Sequence, residues 1–187
     1  MSGHAEAVVA LAGRRIDAKD DAEPHFPLEL VGQVEREIAR AFSQLAPNYL
    51  VCSAACGVDL IALKVARQSG ILFHIVLPFD RAKFKKTSVE DRPGNWSGLY
   101  EDLISEASKS GRLIELVGVG EGDAAYSAAT AQIIETARLL AGGSSNVTAV
   151  AVTDTNPRTG HDATAELLAL AARAGFAERT IEIPQGP

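Results

Sequence analysis

With 187 residues, 47% of them hydrophobic and 22% charged, the chain has the make-up of one globular domain that buries a core. Its net charge of −6 argues against a broad nucleic-acid surface, although local basic clusters can still hold a small anion. Two cysteines, Cys52 and Cys56, exclude a disulfide framework and, with four scattered histidines, supply too few ligands for a zinc site.

Both thiols are expected to be buried and reduced. No run approaches the roughly 18 apolar residues of a membrane span. The start, Met1 to Glu6, lacks the basic segment of a signal peptide. A soluble cytoplasmic domain without membrane association is therefore expected.

Val8–Ala12, closed by Gly13, reads as a first strand, with Arg14 and Arg15 at its carboxyl end. Residues 17–27 are charged and carry prolines, which predicts a loop. Leu30, Val31, Val34, Ile38, Ala41, Phe42 and Leu45 recur at helical spacing until Pro47-Asn48. Tyr49–Cys52 is a short second strand, and Val58, Ile61, Ala62, Val65 and Ala66 mark a second helix that stops at Ser69-Gly70. Ile71–Leu77 is a third strand, followed by a long loop from Asp80 to Gly94 containing Arg81, Lys83, Lys85 and Lys86. That charge run is expected to be solvated.

Trp96 to Ala107 forms a third helix and Leu113–Val117 a fourth strand. A loop punctuated by Gly118, Gly120 and Gly122 follows, with Asp123 expected as N-cap of a fourth helix over Tyr126 to Leu140. Tyr126 suits either base stacking or plain packing. Val147–Val152 is a fifth strand, residues 153–161 a loop, Ala163 to Ala174 a fifth helix and Thr180–Ile183 a final strand. Apolar strands alternating with helices predict an α/β fold: a doubly wound, mostly parallel sheet in three αβα layers. Ligands of such sheets bind beyond the carboxyl ends of the strands, where the unusual loops lie.

Three of those loops carry candidate ligand contacts. In Gly13-Arg14-Arg15, one arginine can fork onto a phosphate, or pair with a loop carboxylate such as Asp17. Between the second strand and helix, Ser53-Ala54-Ala55-Cys56-Gly57-Val58-Asp59 combines small residues with a helix start. Unpaired N–H groups there would offer an anion site, Ser53 a hydroxyl, and Gly57 a tight turn. Asp59 suits either capping or a ribose hydroxyl. In the third loop, Thr159 and Asp162 have capping-box spacing, and Arg158, Gly160 and Thr164 stand at a second helix start.

Ala12-Gly13-Arg14-Arg15-Ile16-Asp17, His25-Phe26-Pro27, Ser53 to Asp59, Leu77-Pro78-Phe79 with Phe84, Ser88-Val89 and Trp96, and Asp162-Ala163-Thr164-Ala165-Glu166 occur in an order that resembles the SLOG superfamily. This Rossmann-like group includes the DNA-processing protein DprA and the cytokinin-activating LOG enzymes. The similarity extends over nearly the whole chain and is strongest to the branch found in bacterial signalling and defence proteins, often fused to effector modules.

LOG enzymes cleave nucleoside monophosphates with an Arg and a Glu around a Pro-Gly-Gly-x-Gly-Thr-x-x-Glu motif. Here Asp162 and Ala163 replace the paired glycines, Thr164 is kept, and Glu166 follows after only two residues. The resemblance thus implies a sensor of a nucleotide-derived signal, of cyclic-nucleotide or ADP-ribose type. Its ligand contacts would be Gly13, Arg14, Arg15, Ser53, Ala54, Gly57, Asp59, Arg158, Gly160 and Thr164. It implies no cofactor and no metal, a fused or associated effector domain, and compatibility with a homo-oligomer. The alternative is a phosphoribohydrolase using Glu166. The tail Pro184 to Pro187 would suit a linker to a longer protein.

Overall fold

A computed structural model describes residues 6–154, 156 and 160–184. Six strands form one sheet: β1 (Val8–Gly13), β2 (Tyr49–Cys52), β3 (Leu72–Leu77), β4 (Leu113–Glu115), β5 (Val147–Thr153) and β6 (Ala177–Glu182). They lie in the order β4-β3-β2-β1-β5-β6, and every pairing is parallel. From β1 the chain walks outward to β4, then returns to place β5 on the other side of β1. The order therefore reverses between β1 and β5, and the connections that follow these two strands leave toward opposite faces.

The helices are α1 (Val31–Leu45), α2 (Val58–Gln68), α3 (Arg81–Ser88), α4 (Ser97–Lys109), α5 (Asp123–Leu140) and α6 (Ala163–Ala174), with a 3₁₀ turn at Leu28–Leu30 before α1. Alternation along β1 sorts the core into two layers. Val9 and Leu11 pack with Ile38, Phe42, Ile61 and Leu103 under α1, α2 and α4. Val8 and Ala10 pack with Ile133, Ala137, Leu167 and Ala171 under α5 and α6. Both cysteines are buried free thiols. Burial raises the pKa of Cys52, helped by the charge of Asp59. No helix among the described residues is long and apolar enough to cross a membrane.

Four local expectations are corrected. The segment after β3 is not all loop, because Asp80 accepts N–H bonds from Ala82 (3.1 Å) and Lys83 (2.9 Å) and so starts α3. The single buried Phe84 then holds this helix to the core while Arg81, Lys83 and Lys85 pair with Glu115, Glu121, Glu90 and Glu101. At α5 the N-cap is Gly122, and Asp123 is the first helical residue. At α6 the cap is Asp162 itself, accepting from Thr164 and Ala165 N–H at 3.0 and 3.1 Å. Thr159 lies outside the described residues. The start of α2 differs as described below. Asp80→Ala is expected to cost about 1 kcal/mol and to fray α3 specifically, read as faster amide exchange at Ala82 to Phe84 with the rest of the sheet unchanged.

Candidate functional site

Two glycines bring the first two βα connections into contact. A Cβ on Gly13 would lie 2.3 Å from Val58 Cγ1 and 2.8 Å from the Val152 carbonyl oxygen. Gly57 has φ +107°, and a Cβ there would meet the Arg14 carbonyl oxygen at 2.7 Å and Ile16 N at 2.8 Å. Only glycine satisfies both the conformation and the space. The approach makes an isolated antiparallel bridge between Arg15 and Gly57. Val58 N–H donates to the Arg14 carbonyl (3.0 Å) and Ile16 N–H to the Cys56 carbonyl (3.3 Å).

The expected free N–H groups at the start of α2 are thus partly consumed. Val58 N–H is paired with Arg14, Leu60 N–H donates to the Ala55 carbonyl at 3.3 Å, and Ala55 N–H donates to Asp59 Oδ2 at 3.2 Å. The bridge seals the two connections to each other, and Ser53 and Asp59 bring side chains to the site.

Beside the seal lies a cavity of about 290 Å3, at the low end of the roughly 300–1,000 Å3 of small-molecule sites. Its lining mixes polar groups, among them Arg15, Ser53, Asp59, Ser88, Asp123 and His161, with apolar ones such as Phe84, Tyr126, Ala129 and Ile133. The Tyr126 ring is fixed by a 3.1 Å hydrogen bond between its hydroxyl and Ser88 Oγ and by an edge contact with Phe79 at 5.9 Å. Ser88 also accepts Cys56 N–H on its carbonyl at 2.9 Å, so α3 braces the cavity and the β2–α2 turn together.

The two arginines after β1 separate by strand alternation. Arg14 turns away into a buried ion pair with Asp154, whose other oxygen lies 2.7 Å from His25 Nδ1 and 3.0 Å from Asn156 Nδ2. Burial alone would raise the Asp154 pKa, but Arg14, Asn156 and His25 outweigh it and hold the carboxyl below its usual range. Arg14 therefore pairs with a carboxylate of the β5 end. The anticipated partner, Asp17, instead accepts His25 and Phe26 N–H at 2.9 and 2.7 Å.

Arg15 lines the cavity, pairs with Asp91 through Nη2, and keeps that same nitrogen 3.7 Å from Cys56 Sγ. Burial pushes the Cys56 thiol pKa up against the opposing pull of Arg15.

Of the residues singled out in the sequence, Gly13, Arg15, Ser53 and Asp59 meet at this cavity. Ala54 is in the core, and Gly57 shapes the wall without lining it. Gly160, at φ +95°, and Thr164 do not line it, although Thr164 is buried and next in α6 to the lining Ala163. Arg158 lies outside the described residues.

Glu166 is off the cavity wall. It accepts from Ser127 Oγ at 3.1 Å and stands 3.3 Å from His161 Nε2. Sequence reasoning missed Phe84, Ser88, Thr130 and His161, which also line the cavity. Phe84 and Ser88 figure in the sequence only among the residues of the family resemblance, without a place in a site.

A doubly wound parallel α/β protein with a ligand-sized cavity at its strand-order reversal is the class these features define. Among solved structures, the fold is similar to that of DNA processing protein A (DprA) from Streptococcus pneumoniae, with a TM-score of 0.55 and 16% identity. The match takes in 97% of this chain and 51% of that one, so the chain spans about half the length of its neighbour. No family profile matches the chain, and no curated protein matches it.

Proposed function

We propose that the cavity binds a nucleotide-derived small molecule, of cyclic-nucleotide or ADP-ribose type. We further propose that the domain senses this ligand for a fused or associated effector in a bacterial signalling or defence protein of the SLOG group. The observation that carries the reading is where buried polar atoms lack partners. Among the described residues Arg15 Nε and Thr164 Oγ1 have no hydrogen-bond partner, and His161 Nε2 makes no hydrogen bond and is approached only by Glu166 Oε2 at 3.3 Å. Arg15 and His161 line the cavity, and Thr164 follows the lining Ala163 in the first turn of α6.

Buried polar groups without partners each cost about 1–3 kcal/mol, so their clustering at one cavity suits a place completed by a polar ligand. Tyr126 offers a face for a base, Asp59 and Ser53 can receive ribose hydroxyls, and Arg15 can donate to phosphate. The fold shared with DprA supports the SLOG assignment. Glu166 is engaged by Ser127 outside the cavity, which favours binding over glycosidic cleavage by that carboxylate.

A panel of nucleosides, mononucleotides, cyclic mono- and dinucleotides and ADP-ribose tests the reading by thermal shift. A true ligand at 100 times its Kd adds about 2.7 kcal/mol of stability, a rise of several degrees. Arg15→Ala is expected to weaken an anionic ligand about tenfold or more, and Glu166→Ala to leave its affinity within about twofold. A panel without any shift would overturn the proposal.

A further inference from the structure

A histidine is the side chain that ordinarily changes charge between about pH 5 and 8, and among the described residues that line the cavity there is one, His161. Its ring is set between two helices. Tyr126 of α5 lies beside it with ring centroids 6.3 Å apart, and Glu166 of α6 brings Oε2 to 3.3 Å from Nε2. Ser127 Oγ donates to that same oxygen at 3.1 Å and holds the carboxylate in place. Nε2 is buried, whereas Nδ1 is not, and Nδ1 has no partner among the described residues. The other charged groups in the lining are Asp123 on α5, Arg15 after β1 and Asp59 on α2.

These neighbours decide what each ring nitrogen offers. The field of the Glu166 carboxylate favours the proton of a neutral imidazole on Nε2, which leaves Nδ1 a bare acceptor. A bare acceptor repels a phosphate oxygen. In the imidazolium both nitrogens carry protons, with Glu166 as counter-charge on one side and Nδ1 as a charged donor on the other. Among the described residues of the lining Arg15 is the only arginine or lysine, so the imidazolium would supply the second cation to hold an anion.

We propose, resting on the reading of the cavity as a nucleotide site, that His161 is a proton-gated contact for the ligand's phosphate, so that the site binds anionic nucleotides more tightly as the pH falls. A histidine that gains an anionic partner is held protonated in the complex. Its contribution is therefore complete at acid pH and is lost as the pH rises through the histidine range. By the same linkage, binding at neutral pH takes up protons.

The probes are cyclic mono- and dinucleotides and ADP-ribose, whose charge is constant over the histidine range, with the corresponding nucleosides as uncharged controls. The 5′-monophosphates, whose second proton titrates near about pH 6, are read as the ratio to the His161 variants, which cancels their own titration. Each is titrated calorimetrically against the full chain, His161→Gln and His161→Asn. In the unaltered protein an anionic probe is expected to gain about tenfold in affinity between pH 8 and pH 5.5, the scale of one charge-assisted hydrogen bond, while a nucleoside changes less than about twofold. Net proton uptake near pH 7 is expected as a dependence of the binding heat on the buffer's ionisation enthalpy. Both variants are expected to flatten the pH dependence and to abolish the uptake, whereas a merely structural role of His161 would weaken binding alike at every pH.

An anionic probe whose affinity is constant from pH 8 to pH 5.5 overturns the proposal. So does a gain that persists in both variants, which would place the proton on another group such as Asp59 or Asp123. An equal gain for the nucleoside overturns the pairing with phosphate. Each of these results leaves the nucleotide site standing, whereas absence of binding by every probe removes the site and this inference together.

Discussion

Gly57→Ala is expected to destabilise the protein by about 3 kcal/mol. A backbone at φ +107° and ψ −131° costs a non-glycine residue about 1–3 kcal/mol. The added Cβ would also sit 2.7 and 2.8 Å from main-chain atoms of Arg14 and Ile16, which cannot rotate aside. Overpacking of this kind costs about 1–3 kcal/mol more. Gly142→Ala is the control. It has φ +67° with nothing within 4 Å of the new Cβ, so only the backbone cost of about 1–2 kcal/mol remains. Urea unfolding of both variants at pH 7 reads the difference, and a Gly57 variant no worse than the Gly142 variant would show that the two connections can part. Because the same contact positions Arg15, ligand affinity should fall with Gly57→Ala and stay constant with Gly142→Ala.

The second large effect is expected at Asp154, whose side chain is fully buried against Arg14. Asp154→Ala leaves a buried guanidinium without its counter-charge and should cost about 3–5 kcal/mol. Replacing both partners, as Arg14→Met with Asp154→Ala, should be less damaging than Asp154→Ala alone, because no unpaired charge is then stranded. The folded-state pKa of Asp154 lies below its ordinary value. Its carboxylate therefore stabilises the fold at neutral pH, and that contribution disappears as the pH falls below the usual aspartate range through the folded-state value. The stability gap between the unaltered protein and Asp154→Ala should accordingly be widest near pH 7 and shrink toward pH 3. A gap independent of pH would mean that Asp154 matters through packing alone.

The layered architecture was legible because its causes are local. Short apolar runs such as Val8–Ala12 and Val147–Val152, broken by glycine and proline and alternating with helical stripes, leave few options besides a parallel sheet. The helix at Arg81–Ser88 was hidden because one buried phenylalanine gives no stripe. Its evidence is a cap, Asp80, whose bonds to Ala82 and Lys83 are visible only in three dimensions. For the cavity, the sequence pointed to Gly13, Arg15, Ser53 and Asp59 by their place at strand ends. It could not divide the work between Arg14 and Arg15, since strand alternation alone does not say which side meets a carboxylate 140 residues away. Nor could it anticipate that the α2 start spends Val58 N–H on the Arg14 carbonyl, because that depends on how closely two glycines let the connections approach.

The position of β1 has a kinetic consequence. This strand occurs first in the chain, yet one edge bonds β2, some forty residues later, and the other bonds β5, whose register pairs Val8 with Val147. Until Val147–Thr153 arrives, β1 is an apolar edge with unmet backbone donors and acceptors, the kind of edge that invites association between chains. With every strand pair parallel and none joined by a hairpin, productive nucleation depends on closing long loops, which places folding on the slow side for a chain of this size. Removing α6 and β6 while retaining β5 should leave β1 protected, whereas ending the chain before Val147 should yield a species that aggregates.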